Sequence, residues 1–171
     1  MNSLRHHFVL QLRNHLIQAA ESARKMAAEA HESARTVATE AEKKEDARVM
    51  QEYGSLAKGH AARAREAQEH LAVLDSLIKR GIPDFSARAA AELGAMVEVA
   101  TEDDQGVLER TFILLPVGGA TELEGPGGDG FITVITPGSP VGKALMGRRA
   151  GDVVDVMVKG DSYEWKIVEV F

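Results

Sequence analysis

The chain has 171 residues, no cysteine and a net charge of −6, enough for one large or two small domains, without a disulfide framework or a thiolate zinc site. No apolar run approaches the roughly 18 residues of a membrane span. Met1 to Ile17 also lacks the continuous apolar core and small-residue cleavage site of a secretory leader, so a cytoplasmic location with no membrane partner is expected.

The first half reads as two long helices. Phe8, Leu12, Leu16, Ala19, Ala23, Met26, Ala30, Ala34, Val37 and Ala41 recur at steps of three or four, and neither proline nor glycine interrupts residues 1–53. Val49, Tyr53, Leu56, His60, Ala64, Ala67, Leu71, Leu74 and Ile78 form a second such series. Lys43-Lys44-Glu45-Asp46 is the most polar point between them. A bend there folds one stripe onto the other as an antiparallel coiled-coil hairpin over residues 1–80, with its tip near 43–48. Leu16 then faces Leu74, Ala19 faces Leu71, Ala23 faces Ala67, Met26 faces Ala64 and Val37 faces Tyr53. Each arm reaches roughly 50–60 Å at about 1.5 Å per residue. Such a rod holds too little core for a compact domain and suits a device for reaching a partner. Gly54 and Gly59 read as points of close packing between the arms.

Lys79-Arg80, Gly81 and Pro83 end the second helix. Residues 81–94 read as a linker, with Ser86 capping a helical turn over Ala87–Leu93. From residue 95 the period changes to that of strands. Val97 and Val99 alternate with Glu98, and Arg110–Leu115, Phe131–Ile135, Val153–Val158 and Tyr163–Val170 are rich in β-branched and aromatic residues. Asp103–Gly106 suits a hairpin loop. Pro140–Met146 is a short helix, with Ser139 as its cap and Gly147 after it. The fold class is therefore α+β: a helical hairpin, then a small antiparallel sheet domain over residues 95–171 with one helix against it. Residues 1–80 hold 13 basic and 11 acidic residues, residues 81–171 hold 7 and 15. The acidic half repels phosphate, so sequence-specific DNA binding is not expected.

The stretch from Ile135 to Val154 carries Ser139, Pro140, Gly142, Lys143, Ala144, Leu145, Gly147, Arg148, Arg149, Gly151, Asp152 and Val154 in fixed order. This order resembles the signature of the Gre-type, bacterial-type transcription elongation factors. The resemblance covers residues 40–171 at motif level and residues 1–39 as helical architecture. It implies an FKBP-like C-terminal domain that docks on RNA polymerase, with Lys143, Arg148 and Arg149 as docking charges. It also implies a hairpin that enters the polymerase secondary channel, where a backtracked RNA 3′ end lies. There, tip carboxylates help hold a catalytic magnesium ion. Magnesium favours carboxylate oxygen and retains water ligands, and paired metals clamp the attacking and leaving oxygens. The polymerase owns the active site, so the factor is an accessory and not itself an enzyme.

The tip departs from the family pattern. With Glu52-Tyr53 as anchor, Asp46 takes the aspartate position and Val49 takes that of the glutamate three residues on. Arg48 replaces a serine and Glu45 a glycine. Asp46 is thus the expected metal-facing acid, and Glu45 the neighbour able to assist it. A Gre-like competitor that fills the channel without stimulating cleavage is the alternative. A prolyl isomerase needs an aromatic-lined pocket, for which Phe85, Phe112, Phe131, Tyr163, Trp165 and Phe171 are available. A coiled-coil adaptor or chaperone would bind other partners through the shaft. His31 and His60 nearly face each other in the expected register and read as a partly buried pair, since a structural metal usually wants four ligands.

Overall fold

A computed structural model describes residues 2–40, 44–86, 88–103, 106–128, 130–158 and 160–171, with side chains at all of these except 2, 3, 37–40, 44–46, 102, 103 and 158. Two helices, α1 (Asn2–Glu40) and α2 (Lys44–Arg80), precede six strands and one further helix. The strands are β1 (Met96–Asp103), β2 (Gly106–Leu114), β3 (Glu122–Glu124), β4 (Phe131–Ile135), β5 (Val153–Val158) and β6 (Asp161–Val170), and α3 (Pro140–Leu145) lies between β4 and β5. The chain forms two compact units. One joins Met1–Arg13 to Val73–Phe171, and the other is Asn14–Ala72.

Within the second unit α1 and α2 share one cavity, lined by Ala27, Ala28 and His31 from one helix and by Gly54, Ala57, Lys58 and Ala61 from the other. The buried positions are Ala20 and Ala23 on α1 and Ala57, Ala64 and Ala67 on α2. Ala23, Ala64 and Ala67 are buried as the expected seam has them, and the rest of that seam is corrected. Met26 and Leu56 are 46% and 52% exposed, and Ala19 is exposed while Ala20 is buried. The reason is the strict seven-residue rhythm of a two-helix seam, which selects alanines and passes over larger neighbours one residue away. The expected close packing at Gly54 and Gly59 is also absent, because a Cβ added at either meets nothing within 4 Å.

In the first unit both the sheet and the helix ends bury apolar side chains. The sheet order is β3-β4-β2-β1-β6-β5. Four of its pairings are antiparallel and one, β2 with β4, is parallel. The sheet is thus mainly antiparallel, as expected, with the β2–β4 pairing as its parallel exception. The chain leaves β2 for the edge, forms β3 there, and returns inside it as β4. One face buries Val97, Val99, Phe112, Leu114, Val154, Val156, Trp165 and Ile167 with Leu145 of α3. Phe8, Val9, Leu12, Leu74 and Leu77 of the helix ends are also buried. Leu12 seats on the loop after β2, where a Cβ on Gly118 would lie 2.7 Å from its Cδ1. Arg13 Nε meets Asp75 Oδ1 at 2.7 Å across the hairpin, two residues out of the register expected for a bend at residue 45. That hydrogen bond holds the Asp75 carboxyl below the usual carboxylate range and raises the Arg13 pKa.

Arg5 clamps the chain as it leaves α2. Its guanidinium donates to the Pro83 carbonyl at 2.7 Å and to Asp84 Oδ1 at 2.9 Å, and its Cζ lies 5.2 Å from the Phe85 ring centroid. Gly81, at φ +83°, supplies the left-handed turn that starts this exit. Of the helical turn expected after Ser86, the described residues show a hydrogen bond from Ala89 N–H to the Ser86 carbonyl at 2.8 Å, and Ala87 lies outside them.

Candidate functional site

The backbone of Glu45 and Asp46 lies in the first turn of α2, where the helix dipole favours negative charge. Their side chains fall outside the described residues. Around them, Ala47, Arg48, Val49 and Met50 are exposed. Arg48 Nε approaches Glu52 Oε1 at 3.3 Å, so Glu52 is engaged one helical turn away. Val49, at the position of the family's second acid, presents hydrocarbon that is 38% exposed. Among the described residues no three histidine, aspartate or glutamate side chains converge on a metal position.

His31 and His60 line different recesses. His31 lines the cavity between the helices, whereas His60 lines a groove on α2 with Arg48, Ser55, Leu56, Gly59 and Arg63. His60 Nδ1 is buried without a hydrogen-bond partner.

The signature stretch folds as a strand, cap, helix and turn. Ser139, at φ −72° and ψ 156°, caps α3. Its Oγ accepts from Gly142 N–H at 3.0 Å and donates to the Thr136 carbonyl at 2.8 Å. Pro140 fills a first-turn position where a missing N–H costs nothing. Gly142 is required by space, because a Cβ there would lie 1.9 Å from the Thr136 carbonyl oxygen. After α3, Gly147 N–H donates to the Ala91 carbonyl at 2.8 Å, and Ala91 N–H donates to the Arg148 carbonyl at 2.7 Å. The linker is thereby stitched to the turn. Asp152 Oδ2 accepts from Arg149 N–H at 2.9 Å, and Asp152 N–H returns a bond to the Arg149 carbonyl at 3.0 Å.

The motif thus uses the backbones of Arg148 and Arg149 for the fold and leaves their side chains exposed, with that of Lys143. None of the three makes a salt bridge among the described residues. Beside them, a groove of about 580 Å³ is lined by Leu77, Arg80, Pro83, Glu92, Leu93 and Met146, among others. No local signal marks this groove or the Ala91 stitch, since each joins residues more than fifty positions apart.

Three of the aromatic residues available to an isomerase pocket are divided between the core and the surface. Phe112 and Trp165 stack on each other at 5.5 Å inside the core, and Phe131 is 67% exposed at the start of β4.

Residues 89–171 match the family described as "Transcription elongation factor, GreA/GreB, C-term". A curated relative, transcription elongation factor GreA of Lachnoclostridium phytofermentans, is 25% identical over 135 residues, which is 76% of this chain and 78% of that protein. Among solved structures, GreA factor homolog 1 (Gfh1) of Thermus thermophilus is 22% identical over 93% of this chain and 94% of its own, with a TM-score of 0.38. The GreA/GreB factor from Nitrosomonas europaea is 21% identical over 61% of this chain and 78% of its own, with a TM-score of 0.36.

Proposed function

From the match of residues 89–171 to the GreA/GreB C-terminal family and the likeness to a curated GreA, we propose that the chain is a diverged Gre-type transcription elongation factor that enters the secondary channel of RNA polymerase and acts on backtracked complexes through its hairpin tip. The observation that carries this reading is the pair of acids, Glu45 and Asp46, in the first turn of α2. Asp46 is the residue that faces the polymerase metal, and Glu45 assists it. Magnesium bound at that junction supplies an activated water for phosphodiester hydrolysis. This chain's part is to add carboxylate oxygen and exclude bulk solvent beside the extruded RNA 3′ end. Exposed Lys143, Arg148 and Arg149 form the docking charges on the sheet domain.

One observation favours a second reading. Val49 offers no oxygen where the family pattern has an acid, and the nearest described carboxylate, Glu52, is paired with Arg48. A tip with one metal-facing acid fills the channel and excludes other factors while adding little to cleavage. Purified protein added to a backtracked elongation complex separates the two. Shortening of the RNA that disappears with Asp46→Ala supports cleavage stimulation. No shortening, combined with loss of a competing cleavage factor's effect, supports the competitor. An Asp46→Ala protein that shortens RNA as well as the parent removes Asp46 from the mechanism.

A further inference from the structure

The two edges of the sheet are finished differently. At the β3 edge, Glu124 N–H donates to Gln11 Oε1 at 2.9 Å and the Glu124 carbonyl accepts from His7 Nε2 at 3.2 Å. Side chains of α1 thus occupy main-chain groups that would otherwise invite another strand. The β5 edge has no such cover. Ile167 N–H donates to the Asp152 carbonyl, which fixes the phase of the β5–β6 ladder. Val154 and Val156 sit in the pairs that exchange hydrogen bonds with Trp165 and Tyr163, and Val153, Asp155 and Met157 sit in the alternate pairs. The N–H and C=O groups of those three residues point away from β6. Among the described residues nothing hydrogen-bonds to them.

Their side chains share the outer face of the sheet. Val153 and Met157 are 52% and 56% exposed, and Asp155 is exposed between them. Val154 and Val156 turn inward to the core that Leu145 of α3 closes. The edge therefore offers three free amide units and an apolar, acidic, apolar row of side chains.

Charge selects the occupant. Asp155 stands directly across from Glu164, and on the same face Glu98 stands across from Glu169. Like charges directly opposite destabilise a strand pair, so the Asp155–Glu164 pair beside the edge gains from a cation laid along β5; Lys166, on the same face, stands opposite Val153 and not opposite Asp155. A second copy of the chain does not supply one. In the antiparallel register that pairs Val153 with Met157 and uses all three free amide units, Asp155 meets Asp155 and adds a third carboxylate. We propose that the β5 edge accepts an extended basic segment of a partner protein. It adds as a further strand beyond β5, with lysine or arginine opposite Asp155 and apolar side chains opposite Val153 and Met157. Main-chain hydrogen bonds hold it, and the alternate side chains give selectivity. This site is independent of the hairpin tip and of its reading.

The test uses the full chain and a nine-residue probe peptide of alternating valine and lysine. Binding slows amide hydrogen exchange at Asp155 and Met157 at least tenfold and leaves Val154 and Val156, already bonded to β6, unchanged. A probe N-methylated on alternate amides, and one with glutamate for lysine, each bind at least tenfold more weakly. Asp155→Lys, on an exposed position, reverses the preference between the lysine and glutamate probes. Equal binding of the methylated probe overturns the proposal, since attraction would then be charge alone. So does slowed exchange at Asp155 that grows with protein concentration without peptide, which identifies a second copy as the occupant. Absence of saturable binding overturns it outright.

Discussion

Replacing Arg5 by alanine tests whether the clamp at the α2 exit is held by burial or by its ion pair. Arg5 is 2% exposed, and its carboxylate partner Asp84 is 80% exposed. The charged hydrogen bond to the Pro83 carbonyl is worth about 1.5–3 kcal/mol, and the contact with the Phe85 ring about 0.5–2 kcal/mol. Three buried methylenes add about 2.4 kcal/mol at about 0.8 each, and the exposed ion pair adds at most about 1 kcal/mol. Against these stands Nε, buried without a partner, whose desolvation costs about 1–3 kcal/mol. The net loss expected for Arg5→Ala is about 3 kcal/mol, or about 6–12 °C in Tm for a chain of this size. Asp84→Ala should cost less than about 1 kcal/mol, because solvent screens the pair. Thermal unfolding of the two variants beside the parent, with hydrogen exchange at residues 81–85, provides the measurement. Equal losses for the two variants would refute the reasoning, and so would an Arg5→Ala protein within about 2 °C of the parent.

Glycine positions that look alike in sequence should diverge. Gly142→Ala is expected to cost at least about 2 kcal/mol because its Cβ cannot avoid a backbone carbonyl, whereas Gly54→Ala should stabilise by up to about 1 kcal/mol; urea unfolding of both shows the sign. In the hairpin, Ala64→Leu overfills a buried seam position and should cost about 1–3 kcal/mol, while Leu56→Ala, on an exposed face, should be close to neutral. The reverse order returns the seam to the larger residues. Asp75 has a folded-state pKa depressed by Arg13. Its contribution is complete above the unfolded value near 3.8 and is lost as pH falls through the lower folded value. Asp75→Asn should therefore flatten the acid limb of the stability profile below about pH 4 and leave its shape at neutral pH unchanged; a parallel acid limb in the variant contradicts that assignment.

Periodicity and end signals alone determined the two helices, the stop at Arg80–Pro83, and the capped helix at Pro140, because each depends on residues within a turn or two of one another. The ordered glycines, prolines and charges from Ser139 to Val154 likewise carried the resemblance to the Gre-type factors. Acids at the tip were visible in the same way. Long-range choices were not. Which stripe becomes the seam was decided by the pairing of two helices, and that pairing took Ala20 and Ala57 over Ala19 and Leu56. β3 is three residues long, too short for a pattern, and it exists because β4 and the α1 side chains at its edge hold it. Its detour makes β4 parallel to β2. The Arg5 clamp, the Ala91 stitch and the bare β5 edge each join or expose groups far apart along the chain. No local propensity encodes them, since their energy exists only once the tertiary structure has brought the partners together or left one out.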